Sequence, residues 1–106
     1  MYEQYDVYWV NLNPVKGGEM NKVRPCLILS PTEVNNYLLI IISAPITSTD
    51  LALPMRFKVS VNNVKGFVAL DQMRALDKSR FCNKVGKLNK DEISTCKAIL
   101  KEYLID

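Results

Sequence analysis

The spacing of apolar residues limits the possible folds more than any other feature of this chain. Short runs rich in β-branched and aromatic residues cover positions 6–12, 24–30, 38–46, 55–61 and 67–70, with a further run near 82–88. Such runs, separated by turn residues, predict β-strands. Asn62 and Asn63 separate two of them and predict a hairpin turn, because asparagine tolerates a positive φ. We expect a small curled antiparallel sheet, with residues 38–42, apolar on both faces, at its centre.

The C-terminal segment has a different period. Asn89 is a favourable N-cap, and Glu92 can complete a capping box with it. Apolar residues then recur on one helical face, at Ile93, Cys96, Ile99, Leu100, Tyr103 and Leu104. This spacing predicts an amphipathic helix packed on the sheet. A chain of 106 residues is enough for one core, so we expect a single α+β domain over residues 1–106, mostly β with a C-terminal α-helix.

Histidine is absent from the chain, which restricts the chemistry available. The commonest general acid–base residue, the usual zinc ligand and any Ser–His or Cys–His pair are thereby excluded. Cys26, Cys82 and Cys96 lack metal-ligand spacing, so we expect buried free thiols in a reducing cytoplasm. No apolar run is long enough to span a bilayer, and no secretory signal is visible. An enzyme of this composition would use carboxylates, hydroxyls and cations, and we expect neither a metal nor a cofactor.

The distribution of charge is more informative than its total. The net charge is +3. The terminal segment 89–106 contains three lysines and four acids, so the excess of cations lies on the β-rich part of the chain. A basic surface suits a polyanionic partner, although a solvated surface that is basic by chance explains the charge equally well.

The connection between the first two runs is the first candidate for function. It spans ten residues, from 14 to 23, and contains the glycine pair Gly17 and Gly18 followed by Glu19. Two antiparallel strands need a shorter turn, and long loops on a rigid scaffold tend to carry function. The chain returns to the sheet at Arg24. A carboxylate and a guanidinium therefore lie at the same end of the predicted sheet.

Two further polar segments follow predicted strands. Thr47 and Ser48 come after Pro45, where the central strand ends. Asp71, Gln72 and Arg74 follow the strand at 67–70. Each residue has an ordinary structural explanation, such as a solvated loop acid, a turn cap or an edge-strand polar group. Taken singly, that explanation is favoured for every residue except Arg24.

Taken together, these segments resemble a known family. The matching strings are VNLNP at 10–14, GGE at 17–19, RP at 24–25, LSP at 29–31, PITS at 45–48, DQMR at 71–74 and LDKSR at 76–80. Their order and content resemble the MazF/PemK/Kid toxins of bacterial type II toxin–antitoxin systems, over nearly the whole chain. The resemblance implies an SH3-like, PemK-type β-barrel that forms a cytoplasmic homodimer, binds no membrane and is neutralised by a cognate antitoxin.

The resemblance also implies an activity. Members are metal-independent endoribonucleases, called mRNA interferases, that cut single-stranded RNA at a short sequence. The 2′-hydroxyl attacks the adjacent phosphorus and leaves a 2′,3′-cyclic phosphate and a 5′-hydroxyl. By this resemblance the catalytic candidates are Arg24, Thr47 and Glu19, with Glu19 either a base or an anchor that orients the loop. The RNA-binding candidates are Lys16, Gly17, Gly18, Lys22, Ser48, Asp71, Gln72 and Arg74.

Two departures from the family and two alternative functions remain. Some members have a histidine where this chain has Gly18, and some have an arginine where it has Ala69. A mechanism that uses either residue cannot operate here. The first alternative is a gyrase poison of the same fold, although the terminal sequence KEYLID lacks the Trp-Gly-Ile-type ending expected of one. The second is a catalytically inactive module that binds RNA or antitoxin.

Overall fold

The structure is a computed structural model and describes residues 1–12 and 22–105. Strands dominate this part of the chain. They are β1 (Asp6–Asn11), β2 (Val23–Ile28), β3 (Ile40–Thr47), β4 (Arg56–Val61), β5 (Val64–Ala69), β6 (Arg74–Asp77) and β7 (Phe81–Lys87). They form one curled antiparallel sheet in the order β4-β5-β3-β2-β1-β7, and β6 pairs with the first half of β3. The expected mostly β fold is confirmed.

The C-terminal helix begins where the sequence predicts it. α2 spans Lys90–Leu100, and the Asn89 side chain and the Glu92 side chain each accept a hydrogen bond from the other residue's backbone N–H. A wider π-helical turn, Lys101–Ile105, continues it. Cys96 is fully buried, whereas Tyr103 and Leu104 are 44% and 57% exposed. The apolar face of the helix therefore packs on the sheet up to its last regular turn, and the prediction for Tyr103 and Leu104 is wrong.

A short helix between β2 and β3 was not predicted. α1 spans Thr32–Tyr37 and has no side-chain cap at its N-terminus. The fully buried Asn35 holds it in place: its Nδ2 donates to the carbonyls of Tyr2 and Ser30, and the Ser30 hydroxyl donates to Asn35 Oδ1. The contact with Tyr2 joins residues 33 positions apart, so a local pattern does not reveal it.

The curled sheet has two apolar clusters. The larger contains Leu27, Ala44, Ile46, Phe57, Val59, Val61, Val68 and Leu70, with Cys96 of α2 packed among them. The smaller contains Tyr8, Val10, Cys26, Ile28, Ile41, Leu76 and Phe81. Tyr2, Tyr8 and Phe81 pack as a group of tilted and edge-on rings with centroids 5.1–5.9 Å apart. The helix thus covers only the first cluster.

The centre of the sheet differs from the expectation in one respect. β3 is central, because it pairs with β2, β5 and β6. Of residues 38–42, however, only Ile41 is buried, while Leu39 is 77% exposed and Ile42 is 42% exposed. The segment therefore lies at the centre of the sheet, as expected, only from Ile40 onwards, because Leu38 and Leu39 precede β3. Ile40 and Ile42 leave one face of the strand exposed.

Two further predictions concern the hairpin and the cysteines. Asn62 and Asn63 join β4 to β5 with φ values of 42° and 71°, which confirms the predicted turn. All three cysteines are free; Cys26 and Cys96 are buried, but Cys82 is exposed, contrary to expectation. Among the described residues, no helix is long and apolar enough to cross a membrane.

Candidate active site

Strand alternation assembles one polar face from three neighbouring strands. Cys26 on β2 lies opposite Pro45 on β3, and Ser43 on β3 lies opposite Arg74 on β6. Because side chains two residues apart in a strand point to the same side, Arg24 and Thr47 extend this face beyond the Cys26–Pro45 pair. Gln72 comes from the one-turn 3₁₀ helix Leu70–Gln72 that leads into β6. Four of the residues that the sequence singled out, Arg24, Thr47, Gln72 and Arg74, are therefore neighbours in space.

These side chains line a cavity of about 480 Å³. Arg24, Arg56 and Arg74 contribute three guanidinium groups, and Ser43, Thr47, Thr49 and Gln72 contribute neutral polar groups. Leu12, Cys26, Leu51 and Leu76 supply apolar surface. No carboxylate of the described residues lines the cavity. The cavity therefore suits an anionic ligand with an apolar part.

Thr47 is held by its backbone neighbours. Its Oγ1 accepts a hydrogen bond of 3.1 Å from the backbone N–H of Thr49, which leaves the hydroxyl proton able to donate. On the adjacent strand, a Cβ at Gly66 would lie 2.6 Å from the Thr47 carbonyl oxygen. Only glycine permits this close approach of β5 to β3, so Gly66 helps to fix the position of Thr47.

Asp71, an RNA-binding candidate from the sequence, forms an ion pair with Arg56. Its carboxylate accepts two hydrogen bonds from Arg56, at 3.1 Å from Nε and 3.2 Å from Nη2. These hydrogen bonds hold the pKa of Asp71 below its usual value. Asp71 does not line the cavity and instead orients Arg56, which does. The expectation that Asp71 contacts RNA stays a prediction.

Arg56 was missed by the sequence analysis. Only 6% of its side chain is exposed. It lies on β4, opposite Ala69 of β5, and this pairing brings it close to the turn that carries Asp71. The two residues are 15 positions apart. The sequence shows only that Arg56 and Asp71 have opposite charges. Many other pairs of residues in the chain do too, so this alone does not predict their ion pair.

The floor of the cavity contains two small polar side chains. Burial raises the pKa of the Cys26 thiol to about 12, against the opposing effect of Arg74 and Arg24. Cys26 is therefore a neutral thiol at physiological pH and does not act as a nucleophile. Ser43 is 1% exposed, and its hydroxyl has no hydrogen-bond partner within residues 1–12 and 22–105.

Two other candidates, Lys22 and Ser48, lie at a second depression. This more open surface of about 780 Å³ is also lined by Trp9, Lys65 and the Asn62–Asn63 turn. Arg24 lines both hollows, which lie on opposite faces of the sheet at the start of β2: Trp9 and Pro25 face the depression, whereas Cys26 faces the cavity. Ser48 therefore does not line the same cavity as Thr47.

The loop candidates lie outside the described residues. Lys16, Gly17, Gly18 and Glu19 belong to the segment 13–21, and the predictions for them remain untested. Leu12 and Lys22, which flank this segment, are joined by a hydrogen bond of 2.8 Å from the Leu12 N–H to the Lys22 carbonyl. Of these two flanking residues, Leu12 lines the cavity and Lys22 lines the second depression. In the described ranges, no group of three or more His, Cys, Asp and Glu residues could hold a metal ion.

Comparisons with known proteins define the class to which this fold and site belong. A family described as PemK-like, MazF-like toxin of type II toxin–antitoxin systems matches residues 3–104. The chain is 29% identical over 94 residues to the endoribonuclease toxin MazF of Escherichia coli K12, covering 88% of this chain and 85% of that one.

Solved structures agree with this match. MazF of Deinococcus radiodurans is 27% identical, with a TM-score of 0.81 over 97% of this chain and 96% of that one. A MazE–MazF structure from the same organism is 27% identical, with a TM-score of 0.85 over 97% and 95%. The chain belongs to the PemK/MazF-like toxin family of type II toxin–antitoxin systems. The expectation of an endoribonuclease toxin is thereby confirmed for the class.

Proposed function

We propose that the cavity beside Arg24 binds single-stranded RNA in the cytoplasm and cleaves it at a short sequence without a metal ion. The substrate's 2′-oxygen attacks the adjacent phosphorus, the new P–O2′ bond forms and the P–O5′ bond breaks. The products are a 2′,3′-cyclic phosphate and a 5′-hydroxyl. The observation that carries the proposal is the convergence of three guanidinium groups and the Thr47 hydroxyl on one cavity lined by no described carboxylate.

Arg24 has the central electrostatic role in this mechanism. A guanidinium remains protonated at any physiological pH and matches the geometry of phosphate oxygens. As the 2′-oxygen attacks, negative charge grows on the non-bridging oxygens, and a fixed cation stabilises that charge more than it stabilises the ground state. Arg74, across the same face, adds to the positive field that holds the phosphate.

Thr47 positions the reacting groups. Its hydroxyl accepts from Thr49 and donates to a phosphate oxygen or to the 2′-hydroxyl, which keeps attack in line with the leaving oxygen. The proton of the 2′-hydroxyl must leave as the P–O2′ bond forms, and the 5′-oxygen must gain one. Glu19 is the carboxylate of the adjoining loop and is our candidate for the base or for the anchor that orients the loop. The chain has no histidine, so neither proton transfer uses an imidazole.

Sequence preference arises from the neutral groups beside the cations. Gln72 can donate and accept hydrogen bonds at a base edge, whereas Leu12 and Leu76 provide apolar surface for a base. Lys22 and Ser48 extend the contact surface on the other side of Arg24. The loop residues Lys16, Gly17 and Gly18, together with Asp71, complete the proposed set.

An antitoxin is the second expected partner. A relative of this chain from Deinococcus radiodurans was solved as a MazE–MazF structure. We propose that the antitoxin of this toxin contributes an acidic, extended segment that lies over the same cationic face near Arg24 and Arg74. Such a segment orders on binding and so gains less affinity per unit area, but it covers a long surface. Shared residues would make RNA and antitoxin compete directly.

We also propose a homodimer. The outer face of β3 and the residues before it expose Tyr37, Leu38, Leu39, Ile40 and Ile42, at 42–88%. Ala75 of β6, opposite Ile42, is exposed on the same face. A contiguous apolar strip of this kind is typical of an interaction surface, and a second copy of this chain is the occupant that we propose. β6 carries Arg74, so such a dimer would lie close to each cavity.

A cleavage assay with labelled single-stranded RNA in EDTA tests the proposal. We expect cuts at a short sequence and products that carry a 2′,3′-cyclic phosphate, with no cut beside a 2′-deoxy nucleotide. Thr47→Ala should lower the turnover, and Thr47→Ser should retain most of it, because only the hydroxyl is needed. Equal losses in both variants would assign Thr47 a packing role. Gyrase inhibition without RNA cleavage would overturn the proposed activity, and binding of RNA without cleavage would indicate an inactive module.

A further inference from the structure

Trp9 is an aromatic side chain that the core does not bury. It lies on β1, opposite Pro25 of β2. Val7, two residues earlier on the same face of β1, is fully buried. The exposed fraction of Trp9 is 36%, whereas its neighbours Tyr8 and Val10 on the other face of β1 are buried. A partly exposed indole in a sheet offers a flat, rigid apolar surface to a ligand. Trp9 is also the only tryptophan in the chain, which makes it a spectroscopic reporter of its own surroundings.

The depression that contains Trp9 has a fixed wall. The Asn62–Asn63 turn rises beside it, and the Asn62 Nδ2 donates a hydrogen bond of 2.7 Å to the Val85 carbonyl of β7. Gly86 allows this contact, because a Cβ there would lie 2.7 Å from Asn62 Nδ2. The hairpin is therefore tied to β7 across the sheet, and the depression of about 780 Å³ exists without a ligand.

The charged residues that line the Trp9 depression are cations. Lys22, Arg24 and Lys65 line the depression, and no described acidic residue does. The whole chain carries 14 basic and 11 acidic residues, so an all-cationic lining is a local enrichment rather than a reflection of composition. Cations around an aromatic face are the arrangement that proteins use to hold single-stranded nucleic acid, with bases stacked on rings and phosphates on cations.

Arg24 connects this depression with the catalytic cavity. It lines both hollows, and they lie on the two sides of the start of β2. An RNA strand whose scissile phosphate lies at Arg24 would therefore reach Trp9 by turning round the end of the sheet at the start of β2. No second binding event is needed to fill the depression.

We propose that the Trp9 depression is a subsite for a nucleotide that flanks the cleaved bond of the same RNA strand. The base stacks on the indole of Trp9, and Lys22 and Lys65 contact the phosphates on either side of it. The subsite rests on the proposed function, because it assigns a further contact to the same substrate. It contributes affinity through stacking, which every base can provide, so it selects for strand length more than for sequence.

The test uses the fluorescence of Trp9 in the intact protein. Oligonucleotides centred on a mapped cut carry a 2′-deoxy nucleotide on its 5′ side, which removes the attacking hydroxyl, and are extended by one nucleotide at a time at either end. We expect one extension to change the fluorescence of Trp9 and to lower Kd by about 5- to 150-fold, the range for one base stacked on an aromatic ring. Trp9→Ala should lose this step, and Trp9→Phe should keep part of it.

Lysine variants provide a matched pair for the charge contacts. Lys65→Ala should reduce the slope of log Kd against log salt by about 0.7, the value for one phosphate contact on a single strand. Lys97→Ala removes an exposed lysine of α2, outside both hollows, and should leave the slope unchanged. Equal slopes for Lys65→Ala and the wild type would overturn the phosphate contact.

The outcomes separate this subsite from the proposed activity. If the wild type cuts no RNA, the proposed function fails. If it cuts RNA, but no extension changes the fluorescence or the affinity, the subsite alone fails. If an acidic peptide changes the fluorescence and RNA does not, the depression belongs to a protein partner and the subsite is again overturned. The fluorescence result for the wild type stands even if Trp9→Ala fails to fold.

Discussion

The two apolar clusters of this curled sheet have very different exposure. The larger is closed by α2, whose Cys96 is fully buried and whose Ile93, Ile99 and Leu100 pack at its edge. The smaller has no helix over it among the described residues, and its strands lead into the cavity with Arg24, Thr47 and Arg74. Covering one side with a helix leaves the other side available for a ligand.

We expect the helix-covered cluster to determine stability and the open side of the sheet to determine activity. Burial of large aliphatic side chains in the cluster that α2 closes contributes hydrophobic free energy to the fold. The open side places polar and cationic side chains on strands that the core already holds rigid. Function on such a surface can change through single side chains without loss of the fold. The four predictions that follow test this separation.

Leu27→Ala should have the largest effect, and it should be on stability. Leu27 is fully buried in the helix-covered cluster. Its truncation leaves a cavity, so we expect the free energy of unfolding to fall by about 2–5 kcal/mol. Urea denaturation measures this, with Leu104→Ala at the exposed C-terminal turn as the control. A loss as small as that of the control would mean that the core on this side does not hold the fold.

Arg24→Ala should lower activity and leave stability unchanged. Arg24 is exposed, so its removal should leave the urea midpoint unchanged, while turnover on RNA should fall by about 10²–10³. Arg24→Lys should recover little, because an ammonium lacks the planar fork of a guanidinium. Lys97→Ala serves as the control for the loss of one positive charge. Turnover close to that of the wild type in Arg24→Ala would remove the proposed mechanism.

Ile42→Lys tests whether the exposed strip of β3 is covered by a second copy. Ile42 is 42% exposed in the isolated chain. Loss of one apolar side chain from an interface costs about 1.5–3 kcal/mol, so the dissociation constant of the dimer should rise by about 10- to 150-fold. Light scattering over a concentration series measures this, and Leu104→Lys provides the control. A wild type that is monomeric at micromolar concentration would contradict the dimer.

Asp71→Asn should have the smallest effect, and the effect should depend on pH. Hydrogen bonds from Arg56 hold the pKa of Asp71 below its usual value of 3.8. A carboxylate with a lowered pKa stabilises the folded state above its unfolded pKa, and this contribution is lost as the pH falls through the folded pKa. The stability difference between wild type and Asp71→Asn should therefore be constant from pH 7 to about pH 5 and should shrink below pH 3.8.

Urea denaturation at several pH values measures that difference. Glu3 and Asp77 also have lowered pKa values, but they titrate in both proteins and cancel in the comparison. The effect should be small, because Asp71 is about one-third exposed and water screens the ion pair. A difference that persists at pH 2 would show that the Arg56 hydrogen bonds do not depend on the charge of Asp71.

Local patterns predicted most of the elements but not all of them. Alternation predicted six strands, and the Asn89–Glu92 capping box predicted the start of α2. α1 was missed because contacts of Asn35 with Tyr2 and Ser30 stabilise it, and β6 was missed because its four residues form a strand only by pairing with β3. In both cases a partner distant in sequence decides the local structure.

The sequence also predicted part of the lining of the cavity. Arg24, Thr47, Gln72 and Arg74 follow from the sequence, and the structure brings them to one cavity. The sequence did not single out Arg56, which lines the cavity, or Trp9, which lines the second depression, because each has an ordinary place in a strand. Ser48 was grouped with Thr47, but adjacent residues of an extended segment point to opposite sides, and it lies at the other depression.

By itself, the sequence determined which residues share a face and which chemistry is available. Both properties are local, because a period of two or of 3.6 and the presence or absence of histidine can be read without knowing the fold. Only the tertiary structure decided which faces meet, which side α2 covers and which cations surround each hollow. Those outcomes depend on strand order and register, since pairing between distant segments is set by the packing of the whole sheet and not by any one strand.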